Sequence, residues 1–162
     1  MKYHKIDSKL FVKNRKNFMS RMKKNSIAFF NSNDIYPVSA DSTLPFEQHR
    51  DIFYLSGVDQ EESVLMLHPN ASDPNHREVL FLKETDDHIA VWEGPKLNKQ
   101  QAYETSGIKC VYWLSEMERI IEQAVNGCER IYYNHNEHYR AKVETETREE
   151  RFNKWLENKF PK

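Results

Sequence analysis

Short apolar runs separated by polar segments dominate the chain, and this pattern is typical of strands rather than of long helices. The run at 27–30 is apolar and bounded by asparagines, which predicts a buried strand. A loop of Asn, Ala, Ser, Asp and Pro at 69–75 predicts a hairpin connection. Further strands are predicted at 52–56, 63–68, 78–83, 88–92, 110–113 and 130–133.

Four other segments have the spacing of amphipathic helices. Ser8 predicts the start of the first, Asn98 and Gly107 bound the second, and Ser115 with Glu118 predicts a capping box for the third. The third helix is expected to close at Gly127, and the fourth to run from about residue 137 to the C-terminus. Apolar stripes support the first helix (Phe11, Phe18, Met19, Met22) and the last one (Phe152, Trp155, Leu156, Phe160).

The order of these elements predicts a fold class. Meandering strands come first and strand–helix alternation follows, which indicates an α/β domain with a mixed sheet flanked by helices. A length of 162 residues with 38% hydrophobic content suits a single domain spanning 1–162. The polar stretch 31–51, which contains Pro37 and Pro45, predicts a long loop of the kind that often carries function.

Charge is balanced overall but uneven along the chain. The net charge is −1, which argues against a dedicated nucleic-acid binder. Nine basic side chains stand against Asp7 alone in the first 24 residues, a local charge of +8, so the remainder carries −9. The basic helix is interpreted as a solvated surface face. A phosphate-binding or partner-docking face remains the alternative.

Neither targeting nor cysteine chemistry is indicated. Apolar runs reach at most five residues, where a membrane span needs about 20, and the N-terminus has no secretory apolar core. Cys110 and Cys128 lack CxxC spacing and are interpreted as packing residues in a reducing compartment. We therefore predict a cytoplasmic protein that binds neither membrane nor nucleic acid.

The chain contains no complete catalytic motif. Glycine-rich phosphate loops and a GxSxG nucleophile elbow are absent, and only four glycines are present. The pair His135 and His138 lacks the spacing of a zinc-binding HExxH motif, so it is interpreted as loop histidines. The acidic residues before His88 are interpreted as a turn. No metal site is predicted in this chain.

Residues 39–57 and 92–94 carry a family resemblance. The segment reads Ser-Ala-Asp-Ser at 39–42 and then Pro-Phe-Glu-Gln-His-Arg-Asp-Ile-Phe-Tyr-Leu-Ser-Gly at 45–57, and Trp-Glu-Gly follows at 92–94. These elements, with strands at 62–67 and 79–82 between them, resemble the N-terminal domain of aminopeptidase P (Xaa-Pro aminopeptidase) in the creatinase/prolidase superfamily. The resemblance spans essentially the whole chain.

The resemblance implies a ribonuclease H-like fold and a parent enzyme. In that family a C-terminal pita-bread domain binds two divalent metals, typically manganese, through two Asp, one His and two Glu, and a metal-bridging hydroxide attacks the bond before proline. We expect residues 1–162 to lack that domain. We therefore expect the N-terminal domain of a longer, cytoplasmic, homo-oligomeric metallopeptidase acting on peptides with proline at the second position. Alone it is expected to be inactive.

Two residues carry over as candidate substrate-binding positions. Trp92 matches a tryptophan that reaches a neighbouring subunit's substrate pocket, and Asp41 matches an acidic residue at the domain junction. Asp41 would orient the substrate's ammonium end or relay a proton. The matching positions Phe46, Gln48, Phe53, Tyr54 and Gly57 are interpreted as structural: core aromatics, a buried amide and a turn glycine. Glu47 and His49 receive no role.

The sequence leaves three alternative interpretations of the function open. Prolidase, which cleaves only dipeptides, is a rival within the same superfamily. A free-standing interaction domain would have the same sequence over residues 1–162. A nucleic-acid-binding basic helix would show steep salt dependence, and the near-neutral charge counts against it.

Overall fold

A five-stranded mixed sheet forms the centre of the protein. The computed structural model describes residues 4–86, 88, 91, 94–136, 138 and 145–161. The strands of the sheet are β1 (Ser26–Asn31), β4 (Ser63–Leu67), β5 (Glu78–Leu82), β6 (Cys110–Trp113) and β7 (Arg130–Tyr133), in the order β6-β5-β4-β1-β7. A separate hairpin consists of β2 (Pro37–Ser39) and β3 (Ser42–Thr43).

Strand directions place four connecting segments at the same edge of the sheet. β4 is antiparallel to both β1 and β5, while β7 is parallel to β1 and β6 is parallel to β5. β1, β5, β6 and β7 therefore end at one edge of the sheet, which we call the carboxyl edge, and β4 begins there. The segments 32–49, 57–62, 83–98 and 134–147 all leave or enter the sheet at this edge.

Helices cover both faces of the sheet, as the sequence predicted. α1 (Ser8–Met19), α2 (Arg50–Ser56) and α3 (Lys99–Ser106) pack on one face around Ala28, Leu65 and Leu80. α4 (Leu114–Val125) and α5 (Arg148–Lys159) pack on the other around Phe29, Met66 and Phe81. Strands buried on both faces read as continuous apolar runs, which explains the pattern along β4 and β5.

One predicted strand is wrong and forms a helix instead. Residues 52–56 belong to α2, whose buried positions Ile52, Leu55 and Ser56 have helical spacing. His49 Nδ1 accepts the Asp51 N–H at 3.3 Å at its start, and Gly57 closes it in the left-handed conformation at φ +71°. A five-residue run is too short to distinguish the periodicity of a helix from that of a strand. The caps at both ends of the segment favour the helix.

Several helix boundaries also differ from the sequence prediction. Asp7 caps α1 in place of Ser8, through Asp7 Oδ1 and the Lys9 N–H at 2.9 Å. The expected capping box at Ser115 is wrong because the N-cap of α4 is Trp113, two residues earlier, and Glu116 accepts the Trp113 N–H at 3.1 Å. That helix ends at Val125, two residues before Gly127.

The remaining boundary differences concern the loops. The stretch predicted as one long loop contains the β2–β3 hairpin. α5 begins at Arg148, after a capping box of Thr147 and Glu150 that sequence inspection missed. The predicted strand at 88–92 falls mostly outside the described residues, and its two described members, His88 and Val91, are helical.

The basic first helix hides one of its cations. Lys9, Lys13 and Lys16 are exposed, as a solvated face requires. Arg15 is fully buried, and its Nη1 donates to the carbonyls of Leu55 at 2.8 Å and Ser106 at 3.0 Å. These carbonyls end α2 and α3, where the helix dipoles favour a positive charge. Arg15 therefore ties three helices together from within the core.

None of the helices in the described part of the chain combines the length and the apolar character that a bilayer crossing requires. Cys128 is buried and Cys110 partly buried, and the two form no disulfide with each other, which agrees with the packing role predicted for them.

Candidate functional site

The carboxyl edge of the sheet is where ligands commonly bind in open α/β folds. Both candidate residues belong to segments that leave this edge, since Asp41 lies between β1 and α2 and Trp92 lies between β5 and α3. Trp92 itself falls outside the described residues, so its predicted role stays a prediction. The candidate site therefore consists of Asp41 and the described residues around the carboxyl edge.

Asp41 occupies the turn of the β2–β3 hairpin. The preceding residue, Ala40, adopts a positive φ of +50°, which a tight two-residue turn requires. The Asp41 side chain is exposed, and within the described part of the chain it makes no hydrogen bond or ion pair. Its carboxylate is therefore available to a group outside the domain.

Apolar side chains flank this hairpin on the protein surface. Ile35, Tyr36, Val38 and Leu44 are all between 40% and 59% exposed, and they lie within ten residues of one another. Contiguous exposed apolar surface in a water-soluble fold marks a contact with another structure. The hairpin thus combines exposed apolar side chains on its flank with a carboxylate at its tip.

A short loop next to residue 92 is anchored to the turn after α2. The Leu97 N–H donates to Gln60 Oε1 at 2.7 Å, and Lys96 forms an ion pair with Glu61. Both side chains of that pair are largely buried, Lys96 at 6% exposure and Glu61 at 17%. The segment 94–98 that leads into α3 is therefore fixed to the carboxyl edge.

Gln48 bonds the long loop to the same turn, as predicted, although its side chain is partly buried rather than buried. Its Nε2 donates to the carbonyls of Val58 at 3.1 Å and Gln60 at 2.8 Å, while its Oε1 accepts the His49 N–H at 2.8 Å. The same Nε2 also lies 3.4 Å from the Ser63 hydroxyl oxygen, and a side-chain amide with these partners specifies the shape of the loop. The residues that precede α2 are consequently fixed to the turn that follows α2.

His49, which the sequence left without a role, joins a polar cluster at the end of β7. Its Nε2 lies 3.2 Å from Glu149 Oε2, and the same oxygen accepts from Asn134 Nδ2 at 3.0 Å. Glu149 Oε1 accepts the Asn136 N–H at 2.8 Å. The hydrogen bond to Glu149 is the largest influence on His49 and raises its pKa, against the opposing effect of burial.

A second carboxylate connects the hairpin segment to α5. Asp34 accepts from the Arg148 N–H at 2.5 Å and from Arg151 Nη2 at 2.7 Å. The Arg148 guanidinium is half-buried, and burial lowers its pKa. Asp34 and Glu149 both face the first turn of α5, where the helix dipole favours anions. The start of the hairpin segment is thereby pinned to the opposite face of the sheet.

The other family-matched positions divide into confirmed and corrected ones. Gly57 is a turn glycine, because a Cβ there would lie 2.2 Å from the Phe11 ring. Phe46 and Phe53 are partly buried, whereas Tyr54 is 58% exposed and is not a core aromatic. Tyr54 lies on the outward side of α2, and only its carbonyl is used, accepting from Asn14 Nδ2 at 2.8 Å.

The donor chemistry of the described residues does not fit a dinuclear metal centre. No three of their His, Cys, Asp or Glu side chains converge in a way that could hold an ion. Glu149 lies 3.8 Å from His135 Nδ1, but the Glu149 oxygens are already used by His49, Asn134 and Asn136. The described residues therefore offer no ligand set for such a metal pair.

A three-layer α/β/α domain with functional loops at its carboxyl edge is the class that this geometry defines. Residues 11–132 match the sequence model of the family described as "Aminopeptidase P, N-terminal domain". This chain belongs to that family.

Individual relatives agree with the family match. The chain is 29% identical over 138 residues to the Xaa-Pro aminopeptidase of Escherichia coli, which covers 85% of this chain and 31% of that protein. It is 27% identical over 104 residues to human Xaa-Pro aminopeptidase 3, covering 63% of this chain and 20% of that protein. The chain thus spans less than a third of the length of these relatives.

Solved structures show the same fold. The Pseudomonas aeruginosa aminopeptidase PepP superposes with a TM-score of 0.80 at 24% identity, covering 96% of this chain and 32% of that one. Zinc-substituted E. coli aminopeptidase P in complex with product superposes with a TM-score of 0.76 at 26% identity, covering 98% of this chain and 34% of that one. The predicted mixed sheet with flanking helices is confirmed.

Proposed function

We propose that this chain is the substrate-framing domain of a manganese-dependent Xaa-Pro aminopeptidase, which removes the residue that precedes proline at the second position of a peptide. The family match over residues 11–132 carries the proposal. The relatives named Xaa-Pro aminopeptidase favour this activity over that of a prolidase. The metals and their ligands are assigned to the catalytic domain that the longer relatives possess, in a cytoplasmic homo-oligomer.

The β2–β3 hairpin is the part of this domain that reaches the substrate cleft. Its apolar flank, which includes Val38 and Leu44, packs against the catalytic domain, since burying such surface stabilises a domain contact. This contact leaves the Asp41 carboxylate at the rim of the cleft. An unpaired carboxylate there accepts hydrogen bonds from the ammonium group of the peptide's first residue, and it thereby orients the peptide.

Trp92 has a complementary role in this proposal. An indole presents a flat apolar face that suits a proline ring, and the family resemblance assigns this position to a neighbouring subunit's pocket. The anchoring of Lys96 and Leu97 to the turn at Gln60 and Glu61 supports a fixed path for the loop that follows residue 92.

The role of Asp41 is tested by steady-state kinetics of the protein that contains this chain together with its catalytic domain. Asp41→Asn removes the charge and keeps the shape. The matched control is Glu47→Gln, an exposed carboxylate in the same loop. Loss of one charge-assisted hydrogen bond, worth about 1.5–3 kcal/mol, lowers kcat/KM by about 10- to 100-fold for Asp41→Asn alone. Equal kinetics for the two variants would remove Asp41 from the site.

A further inference from the structure

Gln60 is a buried glutamine in the turn after α2, and it contacts both loops that carry the candidate substrate-binding residues. Its carbonyl accepts from Gln48 Nε2 at 2.8 Å, which holds the base of the segment that contains Asp41. Its side-chain Oε1 accepts the Leu97 N–H at 2.7 Å, which holds the segment that follows Trp92. A single residue thus connects the two loops.

The backbone part of this connection does not depend on the Gln60 side chain. The Gln60 carbonyl also accepts from Ser63 Oγ at 2.8 Å, and Gln48 Nε2 bonds the Val58 carbonyl at 3.1 Å as well. Any residue at position 60 would supply the same carbonyl. The side chain of Gln60 is therefore needed only for its contact with Leu97.

Burial of this side chain opposes folding. Gln60 is only 5% exposed, and within the described part of the chain its Nε2 has no hydrogen-bond acceptor. A buried N–H without a partner is unfavourable, because it has lost its hydrogen bonds to water. An apolar side chain of the same length would avoid this penalty, so stability alone does not explain a glutamine here. Such departures from full hydrogen bonding are expected at functional positions.

The segment 94–98 depends on the Oε1 hydrogen bond for a defined backbone path. Pro95 has no N–H to donate. Lys96 pairs with Glu61, but a lysine side chain is flexible, and the pair can form over a range of backbone positions. The Leu97 N–H, in contrast, belongs to the main chain, so its hydrogen bond fixes the backbone directly.

Partial exposure allows this segment to move without unfolding the domain. Gly94 and Leu97 are partly exposed, and Pro95 and Asn98 are exposed, so water can replace an acceptor that the Leu97 N–H has lost. Local opening of weakly packed surface segments costs much less than global unfolding. Removal of the Gln60 acceptor is therefore expected to loosen the segment and to leave the sheet and the helices intact.

We propose that Gln60 is a positioning residue of the peptidase, which fixes the segment 94–98 and thereby orients Trp92 for the proline ring of the peptide. This inference rests on the proposed function. A binding group that is already ordered loses less conformational entropy when the peptide binds, so its contact contributes more to affinity. Gln60 therefore lowers the KM for proline peptides without touching them. The Asp41 segment, which Gln48 holds, does not depend on the Gln60 side chain.

Hydrogen exchange in the 162-residue chain, followed for individual amides by NMR, tests whether Gln60 fixes the segment. Gln60→Met removes the acceptor and keeps the length of the side chain. The Leu97 amide is expected to exchange about tenfold faster, because it loses its hydrogen bond. The His49 amide, which donates to Gln48 Oε1, keeps its rate. The urea midpoint shifts by less than about 0.3 M, because an unpaired buried N–H is removed together with the acceptor.

Gln100→Met is the matched control for this substitution. Gln100 is an exposed glutamine of α3 that bonds Glu104, and its replacement leaves the Leu97 exchange rate unchanged. An unchanged Leu97 rate in Gln60→Met would overturn the proposal. A Gln60→Met chain that unfolds, or that loses as much stability as a core variant, would also overturn it, because Gln60 would then serve the fold.

Steady-state kinetics of the protein that contains this chain together with its catalytic domain tests the effect on the reaction. Gln60→Met raises the KM for a proline peptide by about three- to tenfold, the cost of ordering one side chain on binding. It changes kcat by less than about twofold, because the lost binding is common to the ground state and the transition state. Gln100→Met changes neither value.

The two experiments separate this inference from the proposed function. An unchanged KM in Gln60→Met, together with faster exchange at Leu97, would refute the positioning role and leave the peptidase assignment in place. A lack of proline-peptide cleavage by the unsubstituted protein would refute the proposed function, and with it the role of Trp92. The exchange rates would still decide whether Gln60 fixes the segment 94–98.

Discussion

Replacing the buried Arg15 by methionine tests whether one core cation holds the three helices of one face together. Arg15 has no exposed surface, and its Nη1 donates to carbonyls at the ends of α2 and α3. Its Nη2 lies 2.9 Å from Glu78 Oε2, whose side chain is 23% exposed. Methionine fills similar volume but leaves two carbonyls and one carboxylate without their partner.

The expected magnitude follows from these three contacts. Removing one partner of a buried ion pair costs about 3–5 kcal/mol, because the remaining charge and acceptors stay desolvated. For a domain of this size each kcal/mol lowers the Tm by about 2–4 °C, so Arg15→Met lowers the Tm by roughly 6–20 °C. Urea denaturation followed by circular dichroism measures the loss of free energy directly.

A double-mutant cycle with Glu78→Gln identifies the source of this loss. If the ion pair contributes, the double variant loses less stability than the two single variants together. The two helix-terminal carbonyls are unaffected by Glu78→Gln, so a residual cost of Arg15→Met in that background measures them. A loss below about 1 kcal/mol for Arg15→Met would refute the argument that Arg15 joins the helices.

Gly57 and His49 give two further predictions that the same stability measurements test. Gly57→Ala destabilises the fold by about 1–3 kcal/mol in urea denaturation, because it combines a left-handed φ of +71° with a Cβ 2.2 Å from the Phe11 ring; an unchanged midpoint would show that α1 and α2 move apart freely. Since Glu149 raises the pKa of His49, protonated His49 stabilises the fold below about pH 6.5, the unfolded value, and this contribution disappears as the pH rises through the higher folded pKa. The Tm difference between the unsubstituted chain and His49→Gln therefore shrinks from pH 6 to pH 8, and a constant difference would exclude the ionised pair.

The centre of the sheet could be predicted from sequence because β1, β4 and β5 are buried on both faces. β1, β4 and β5 read as uninterrupted apolar runs, and β6 and β7 as short aromatic or β-branched runs, so each could be recognised without a partner strand. α2 could not be predicted, because seven residues contain too few helical turns to distinguish a helix from a strand. The caps at His49 and Gly57 decide its type, and a histidine cap is a weak signal.

The candidate site was likewise predictable from the sequence only in part. Asp41 was selected through a family resemblance, and its exposure in a hairpin turn is what a residue that acts on another domain requires. The cluster of His49, Asn134 and Glu149 was missed because its members are 85 and 15 residues apart and meet only when β7 and α5 are in place. Arg15 was missed for a similar reason, since its neighbours along the helix are exposed lysines.

Peptide cleavage by two forms of the protein tests the central claim most directly. The 162-residue chain and the product of the complete reading frame that contains it are each given manganese and two peptides, one with proline and one with alanine at the second position. Mass spectrometry follows the release of the first residue. We predict release only by the longer product and only from the proline peptide. Release by the 162-residue chain alone, or by the longer product without regard to proline, would contradict a substrate-framing domain of a Xaa-Pro aminopeptidase.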